Sequence, residues 1–297
     1  MIPCFNDGAT VEEAVSSARS DQIPAEIIVV DDGSTDPATL AALGRLEPTG
    51  VRLIHQENRG PAPARMTAVR STDADYVFPL DADDLVAAGA IGRLRDVLDD
   101  HPEAAAAWGS ARVFGELEYL HRSRPSLDPW QVSYQNHLPV GCLYRRGAVI
   151  EAGGWEFQGG YEDWDLWMAL AERGWQGIGI PDVTAHYRVH SGRRLSRSSR
   201  RHAERYAKLR ARHPRLFADR RRNWRASPAP LLLKLALPAI EALPLSPTRK
   251  RLLGGAVSHL AYRAGWRTLV GRYRAHRVLR GADKTPEDRD AGSFRSP

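Results

Sequence analysis

The sequence predicts an α/β fold: a mostly parallel central sheet flanked by helices, followed by a basic helical extension. Three observations carry this reading. Short apolar, β-branched runs alternate with helical spacing through about residue 100, the pattern of a parallel sheet with helices packed on it. Two of these runs, Ile27-Ile28-Val29-Val30 and Tyr76-Val77-Phe78-Pro79-Leu80, end directly in acids. Beyond about Arg193 the composition turns to Arg-rich helical segments divided by prolines.

In chain order, Ile2-Pro3 reads as the end of a strand running into the turn Asn6-Asp7-Gly8. Val11, Ala14, Val15 and Ala18 then keep helical spacing. Residues 27–30 read as a fully buried parallel strand, closed by an acid-rich turn that supplies a helix N-cap before Pro37. A helix to about residue 46 and a strand at 51–55 follow. Asn58-Arg59-Gly60 makes a loop, and residues 62–71 form a helix that carries Arg65 inward or toward a ligand. The strand at 76–80 precedes a helix with Ile91, Leu94, Val97 and Leu98 on one face. Residues 104–109 and 140–144 read as strands, while 112–137 lack a clear period. A short helix to Ala152 ends at Gly153-Gly154-Trp155. Residues 161–173 form a helix burying Leu166, Trp167, Leu170 and Ala171, residues 175–180 a strand, and 184–190 lead out of the domain. The expected organisation is a domain over 1–195, a helical extension over 196–281 and a disordered polar tail over 282–297.

The 297 residues are 42% hydrophobic and 26% charged, enough for a sizeable core. Two cysteines, Cys4 and Cys142, exclude a disulfide framework and read as small buried hydrophobes. No signal peptide is visible. The most apolar stretch, 231–237, is interrupted by Lys234 and closed by Pro238, far short of the roughly 20 residues of a spanning helix. The net charge of +6 is uneven: from His186 to Gly281 about two dozen Arg and Lys face three acids, Glu204, Asp219 and Glu241. That asymmetry suggests a polyanionic surface as a neighbour, either membrane lipid or nucleic acid, or simply a solvated Arg-rich face.

Three acid clusters stand out: Asp31-Asp32, Asp81-Ala82-Asp83-Asp84 and Glu162-Asp163. The first two follow parallel strands and therefore share one carboxyl edge of the sheet, where open α/β sheets bind ligands. Asp-x-Asp can hold a divalent cation through hard oxygens while other positions of the ion take phosphate oxygens. The tripeptide alone arises about once by chance in a chain of this length, so its place after a buried strand is what matters.

In this setting the chain resembles the inverting family 2 glycosyltransferases with the GT-A fold. The resemblance rests on Ile2-Pro3-Cys4-Phe5-Asn6, Val29-Val30-Asp31-Asp32-Gly33-Ser34-Thr35-Asp36, Asn58-Arg59-Gly60 through Ala64-Arg65, and Leu80-Asp81-Ala82-Asp83-Asp84. Gly153-Gly154-Trp155, Gly160-Tyr161-Glu162-Asp163-Trp164-Asp165-Leu166-Trp167 and Tyr187-Arg188-Val189-His190-Ser191-Gly192 complete it. It covers roughly residues 1–195.

The resemblance implies the following roles. Pro3, Phe5 and Asn6 line the nucleotide pocket, and Asp32 accepts a hydrogen bond from the base. Asn58, Gly60 and Arg65 support the ribose and diphosphate, although Gly60 reads equally as a turn glycine. Asp81 faces the ribose, with Ala82 and Glu162 also beside the nucleotide sugar. Asp83 binds Mg²⁺ or Mn²⁺ on the diphosphate, and His190 stands where some members place a further metal ligand. Asp84 reads as a cap of the following helix rather than a ligand. Asp163 is the expected general base, which takes the acceptor hydroxyl proton as that oxygen attacks. Segments 112–137 and 153–161 are expected to shape the acceptor pocket.

Two departures from the family pattern are visible. Met1 stands where members usually carry β-branched residues, so the first strand is expected to keep two or three residues. Met66 stands where Asn commonly follows Arg65.

The function expected from the resemblance is inverting, metal-dependent transfer of a sugar from a nucleoside-diphosphate sugar. The acceptor is a glycan or lipid-linked hydroxyl in cell-envelope or extracellular polysaccharide synthesis. The expected location is cytoplasmic, at the inner face of the cell membrane. Two other functions share parts of this pattern. A nucleotidyltransferase that makes sugar nucleotides would need a glycine-rich basic loop after the first strand, and Asn6-Asp7-Gly8-Ala9 is none. A non-catalytic protein binding nucleic acid or membrane through residues 193–281 has no recognised nucleic-acid motif behind it, and no nucleic-acid partner is expected.

Overall fold

The computed structural model describes residues 1–297 except 22, 159, 191–200, 247–248 and 263–297. The part of the expected extension beyond residue 262, the tail over 282–297 and the motif residues Ser191-Gly192 lie outside the described residues.

The first third is built as its periodicity dictates. Strands β1 (Ile2–Cys4), β2 (Ile28–Asp31) and β3 (Arg52–His55) pair in parallel, with Val29 opposite both Ile2 and Leu53. Helices α1 (Val11–Arg19), α2 (Pro37–Leu46) and α3 (Pro61–Arg70) connect and cover them. Asp36 caps α2 by accepting from Thr39 N at 2.9 Å, with Pro37 in the first turn. This satisfies an orphan helix N–H where proline needs none.

Next come β4 (Tyr76–Val77), β5 (Leu85–Val86) and α4 (Ala90–Asp100), then β6 (Ala104–Gly115), β7 (Tyr119–His121) and α5 (Pro129–Val132). They are followed by β8 (Leu143–Arg145), α6 (Arg146–Glu151), α7 (Glu162–Glu172) and β9 (Gln176–Val189). The second sheet has the order β4-β8-β6-β9-β5, with β7 on β6. Its β6–β9 pair is parallel and its other pairs are antiparallel. Leu80 N donates to Met1 O and Met1 N to Phe78 O, both at 3.0 Å, so residues 78–80 run beside β1 and join the two sheets.

Two strands are longer than the sequence suggests. β6 continues past residue 109 to Gly115, and the expected segments 175–180 and 184–190 are one strand, β9. Pro181 falls inside it and brings no N–H to the ladder. The register accommodates this by a bulge: Trp108 faces Gly179 but Ser110 faces Val183, and Ser110 Oγ donates to Pro181 O at 3.0 Å.

One core, between the second sheet and α7, is centred on Trp108, Tyr144, Trp155 and Trp167. Another, under α1, α2 and α4, contains Ile2, Val29, Leu43, Leu94 and Leu143. Both cysteines are free and buried. The extension comprises α8 (His202–Arg212), α9 (Pro214–Ala218), α10 (Arg220–Ala226), α11 (Leu231–Ala242) and a helix, α12, entered at 249 and described to 262. It shares the domain's core. Leu209 and Leu216 are buried with Trp164 and Trp167, and Leu233 and Leu237 pack on Trp130. Asp128 accepts from Ser227 Oγ at 2.6 Å, and Arg220 donates to Ser133 O at 2.6 Å. The boundary expected at 195 therefore does not separate two cores. No helix of the described residues is long and apolar enough to cross a membrane.

Candidate active site

All three acid clusters meet at the edge where β1, β2 and residues 78–84 end. β2 delivers Asp31 and Asp32, which are 4% and 3% exposed. Burial works against ionisation of Asp31. Ser34 and His55 outweigh it by hydrogen bonding and hold the carboxyl below its ordinary value. Asp32 accepts at Oδ1 from Gln56 Nε2 (2.7 Å) and Arg59 N (2.9 Å), and at Oδ2 from Gly60 N (2.7 Å). Its work in this structure is to shape the Asn58-Arg59-Gly60 loop. Gly60 takes φ 91°, a left-handed value that suits glycine, and is the N-cap residue of α3. Asn58 is exposed on the same loop.

On β1, Pro3 is half-buried and Phe5 is 37% exposed at the edge. Asn6 is tied down locally: its Oδ1 accepts from Thr35 N (2.9 Å) and Asp36 N (3.0 Å). Its own φ is 57°. Asn6 thus locks the β1 turn to the β2 turn.

Arg65 points inward, one of the two directions read from its place on the helix. It is 3% exposed, and its guanidinium meets carboxylates. Nη2 donates to Asp81 Oδ1 at 2.7 Å, and Nη1 to Asp163 Oδ1 at 3.2 Å and Glu162 Oε1 at 3.4 Å. The physical reason is that α3 projects Arg65 under the sheet edge, where a buried cation requires counter-charges. The side chain of Ala82 is 3% exposed and packs in the α1–α4 core. Asp84 corrects the sequence reading. It caps no helix, since Gly89 occupies the N-cap of α4. Instead its Oδ1 accepts from Arg188 N at 2.7 Å, which pins the acid loop to β9.

Asp81, Asp83 and Asp84 each offer an oxygen within 4.8 Å of one another. His190, at the end of β9, brings Nε2 to 3.0 Å from Asp83 Oδ2. Arg188 holds this pairing in place by donating from Nε to Asp83 O at 3.0 Å and by an ion pair with Glu13. Carboxylate oxygens with one imidazole nitrogen suit Mg²⁺ or Mn²⁺, so the residues present fit such an ion.

Glu162 and Asp163 occupy the first turn of α7, where the helix field favours anions. Asp163 Oδ1 accepts from Trp155 Nε1 at 2.8 Å and from Arg65. Burial pushes the Asp163 carboxyl up to about 6, against the pull of Arg65, with Glu162 and Asp81 pushing the same way. A carboxyl that titrates close to neutrality is suited to general acid–base work. Asp165, two residues further on, is bound by Arg212 and His213 of the extension.

Trp155 and Arg188 contact the acids of this edge but carry no role in the sequence reading, although both lie in quoted motifs. Trp155 is placed by Gly154, whose φ is 72° and whose Cβ would lie 2.3 Å from Met66 Sδ. The unusual Met66 is therefore a buried neighbour of the loop that carries Trp155.

Residues 1–149 match the family described as Glycosyl transferase family 2. The succinoglycan biosynthesis protein ExoU of Rhizobium meliloti is 39% identical over 96 residues, 32% of this chain and 28% of that one. A poly-beta-1,6-N-acetyl-D-glucosamine synthase of Staphylococcus aureus is 24% identical over 197 residues, 59% of this chain and 46% of that one. The chain thus spans less than half the length of either curated relative. Among solved structures, the mannosyltransferase PcManGT from Pyrobaculum calidifontis, in complex with GDP-Man and Mn²⁺, has a TM-score of 0.55 and 22% identity over 95% of this chain and 86% of that one. S. aureus TarS 1-349, in complex with UDP-GlcNAc, has a TM-score of 0.55 and 17% identity over 93% and 90%. These likenesses are of fold, and the fold is GT-A. The match over half the chain agrees with the motif order and the acid-lined edge, and the chain belongs to glycosyltransferase family 2.

Proposed function

We propose that the protein transfers a sugar, with inversion, from a nucleoside-diphosphate sugar to an acceptor hydroxyl in extracellular or envelope polysaccharide synthesis. The observation that carries this reading is Asp163, a carboxylate raised to about 6 at the sheet edge and oriented by Trp155. The names of the relatives, a succinoglycan biosynthesis protein and a polysaccharide synthase, support the setting. In this reading Pro3, Phe5 and the Asn58 loop receive the nucleotide, and Asp32 keeps lone-pair capacity for the base. Asp81 faces the ribose, and Glu162 lies beside the nucleotide sugar. Asp163 takes the acceptor proton as the hydroxyl attacks the anomeric carbon opposite the departing diphosphate. Asp83 and His190 would hold Mg²⁺ or Mn²⁺, which acts as a Lewis acid on the leaving diphosphate.

The assay that tests the reading is transfer from a panel of UDP-, GDP- and dTDP-sugars with Mn²⁺. Absence of turnover with every donor, together with absence of nucleotide binding, would reject it. Asp83→Ala should abolish metal-dependent binding of the nucleoside diphosphate while circular dichroism stays native. Calorimetry that returns an unchanged affinity would remove Asp83 from the site, and activity at full rate in chelator would remove the ion.

The proposed acceptor is a glycan or lipid-linked hydroxyl, reached at the inner, cytoplasmic face of an anionic membrane. Leu231, Leu235, Leu252 and Leu260 are 61–66% exposed on α11 and α12, in a segment that carries the basic residues Lys234, Arg249, Lys250 and Arg251. Such a helix pair suits the bilayer interface, and each basic residue near it adds about 1 kcal/mol. Truncating the extension would remove core residues Leu209 and Leu216, so substitution is the cleaner test. Leu231→Ser with Leu235→Ser and Leu260→Ser should release the protein from anionic phospholipid vesicles. Native protein that ignores such vesicles at low salt would end this part of the proposal.

A further inference from the structure

The extension grips the helix that carries Asp163, on the face opposite the site. Residues two apart on an α-helix are about 200° apart around its axis. Asp163 meets Arg65 and Trp155 on one side of α7, and Asp165, 2% exposed, meets the extension on the other. Arg212 takes Asp165 with a two-pronged grip, Nε to Oδ1 at 2.9 Å and Nη2 to Oδ2 at 3.2 Å. His213 Nε2 lies 2.9 Å from the same Oδ1, and its Nδ1 lies 3.4 Å from Glu172 Oε2 at the far end of α7. Leu216 N donates to Glu172 Oε1 at 3.0 Å.

The grip also reaches the other partner of the Asp163 hydrogen bond. Arg212 Nη2 lies 3.5 Å from Glu156 Oε2, the residue after Trp155. At the head of α7, Tyr161 holds a φ of 79° and its hydroxyl lies 2.9 Å from His202 Nδ1. Trp164 stacks on His202 and Tyr206 of α8, with ring planes within 12° and 28°. A bidentate Arg–carboxylate pair on a buried carboxylate has one favourable geometry. Fixing it on one face of a rigid helix fixes the rotation of the other face.

We propose that Arg212 and His213 are positioning residues for Asp163, acting through Asp165, so that the extension is part of the scaffold of the transfer site. The significance for catalysis rests on the assignment of Asp163 as base. The contacts themselves are testable without it.

The test uses the full chain with Arg212→Gln, and Lys208→Gln as a matched control at an exposed ion pair on the same helix. Arg212 is itself 43% exposed, so the variant should fold, as circular dichroism would verify. The first readout is the indole N–H of Trp155 in ¹⁵N-tryptophan-labelled protein, assigned with Trp155→Phe. Arg212→Gln should move this resonance and speed its exchange with water by about 10-fold, and Lys208→Gln should do neither. A lowered melting temperature with the Trp155 signal unmoved would mean that Arg212 only anchors the extension, and would overturn the proposal.

The second readout is transfer. kcat should fall by about 10-fold with donor affinity unchanged, as expected when a catalytic group is displaced by less than 1 Å. Arg212→Lys, which keeps the charge without the fork, should recover part of the loss. An unchanged kcat would also overturn the proposal. If native protein turned over no donor, the functional reading would fail while the Trp155 signal still decided the positioning role.

Discussion

Replacing Asp163 with Asn should lower the transfer rate by about 10²- to 10⁴-fold, the contribution of a general base, while donor and metal affinity stay near native. Asn keeps the shape and can still accept from Trp155 Nε1, so the geometry of the first turn of α7 should survive. The native pH profile carries the signature. With the carboxyl raised to about 6, the rate should fall below that pH as the base becomes protonated, and the Asn variant should lose that limb. The sign for stability is opposite to that of a salt-bridged acid. A carboxyl whose folded value lies above its unfolded 3.8 favours the native state at low pH, and that advantage is lost as pH rises from about 3.8 to about 6. Asn carries no such penalty, so the melting temperature at pH 7 should not drop. Loss of donor affinity with turnover intact would make Asp163 part of the donor pocket. Unchanged transfer would move the base to Glu162, since Asp165 is engaged by the extension.

Arg65→Met should be the most destabilising substitution at the site, by about 3 kcal/mol near neutral pH. The guanidinium is the shared counter-charge of Asp81, Glu162 and Asp163, and removing it leaves three acids together below the sheet edge. The estimate sits at the low end for a buried pair because Asp81 is about one-third exposed and solvent screens it. Arg65 is also the main influence that lowers the Asp163 value. In the variant that value should climb above 6, the rate profile should shift to higher pH, and the stability loss should shrink at pH 5 as Asp163 becomes neutral. Denaturant unfolding at pH 5 and pH 8 measures the difference. A variant as stable as native at pH 8, with the same rate profile, would show that the three acids do not depend on Arg65.

Much of this was legible in the chain itself. Ile28-Val29-Val30 could only be a buried strand, and the acids that follow it could only fall at its carboxyl edge. The same logic placed Asp81 to Asp84, and the spacing of Pro37 after Asp36 announced a capped helix. Periodicity also located α7, because Leu166, Trp167 and Leu170 recur at helical spacing and drive one face into the core. Where local signals were weak, the reading was coarser. Residues 112–137 carry the end of β6, β7 and α5, which are stabilised by partners far away in the chain, Ser227, Arg220 and Leu233 among them.

The sequence by itself thus determined the fold class, the family and which acids share one edge, since hydrophobic periodicity and strand-end position are local properties. Only the tertiary structure decided what each charge faces. It made Arg65 the counter-ion of three carboxylates, turned Asp84 from a helix cap into an anchor for β9, and made Asp165 the handle of the extension. It also made the extension part of one core through Leu209 and Leu216. Partner choice for a buried charge depends on which groups desolvation brings together across 50 to 100 residues of chain, as Arg65 with Asp163 shows, and no pattern along the chain encodes that distance in space.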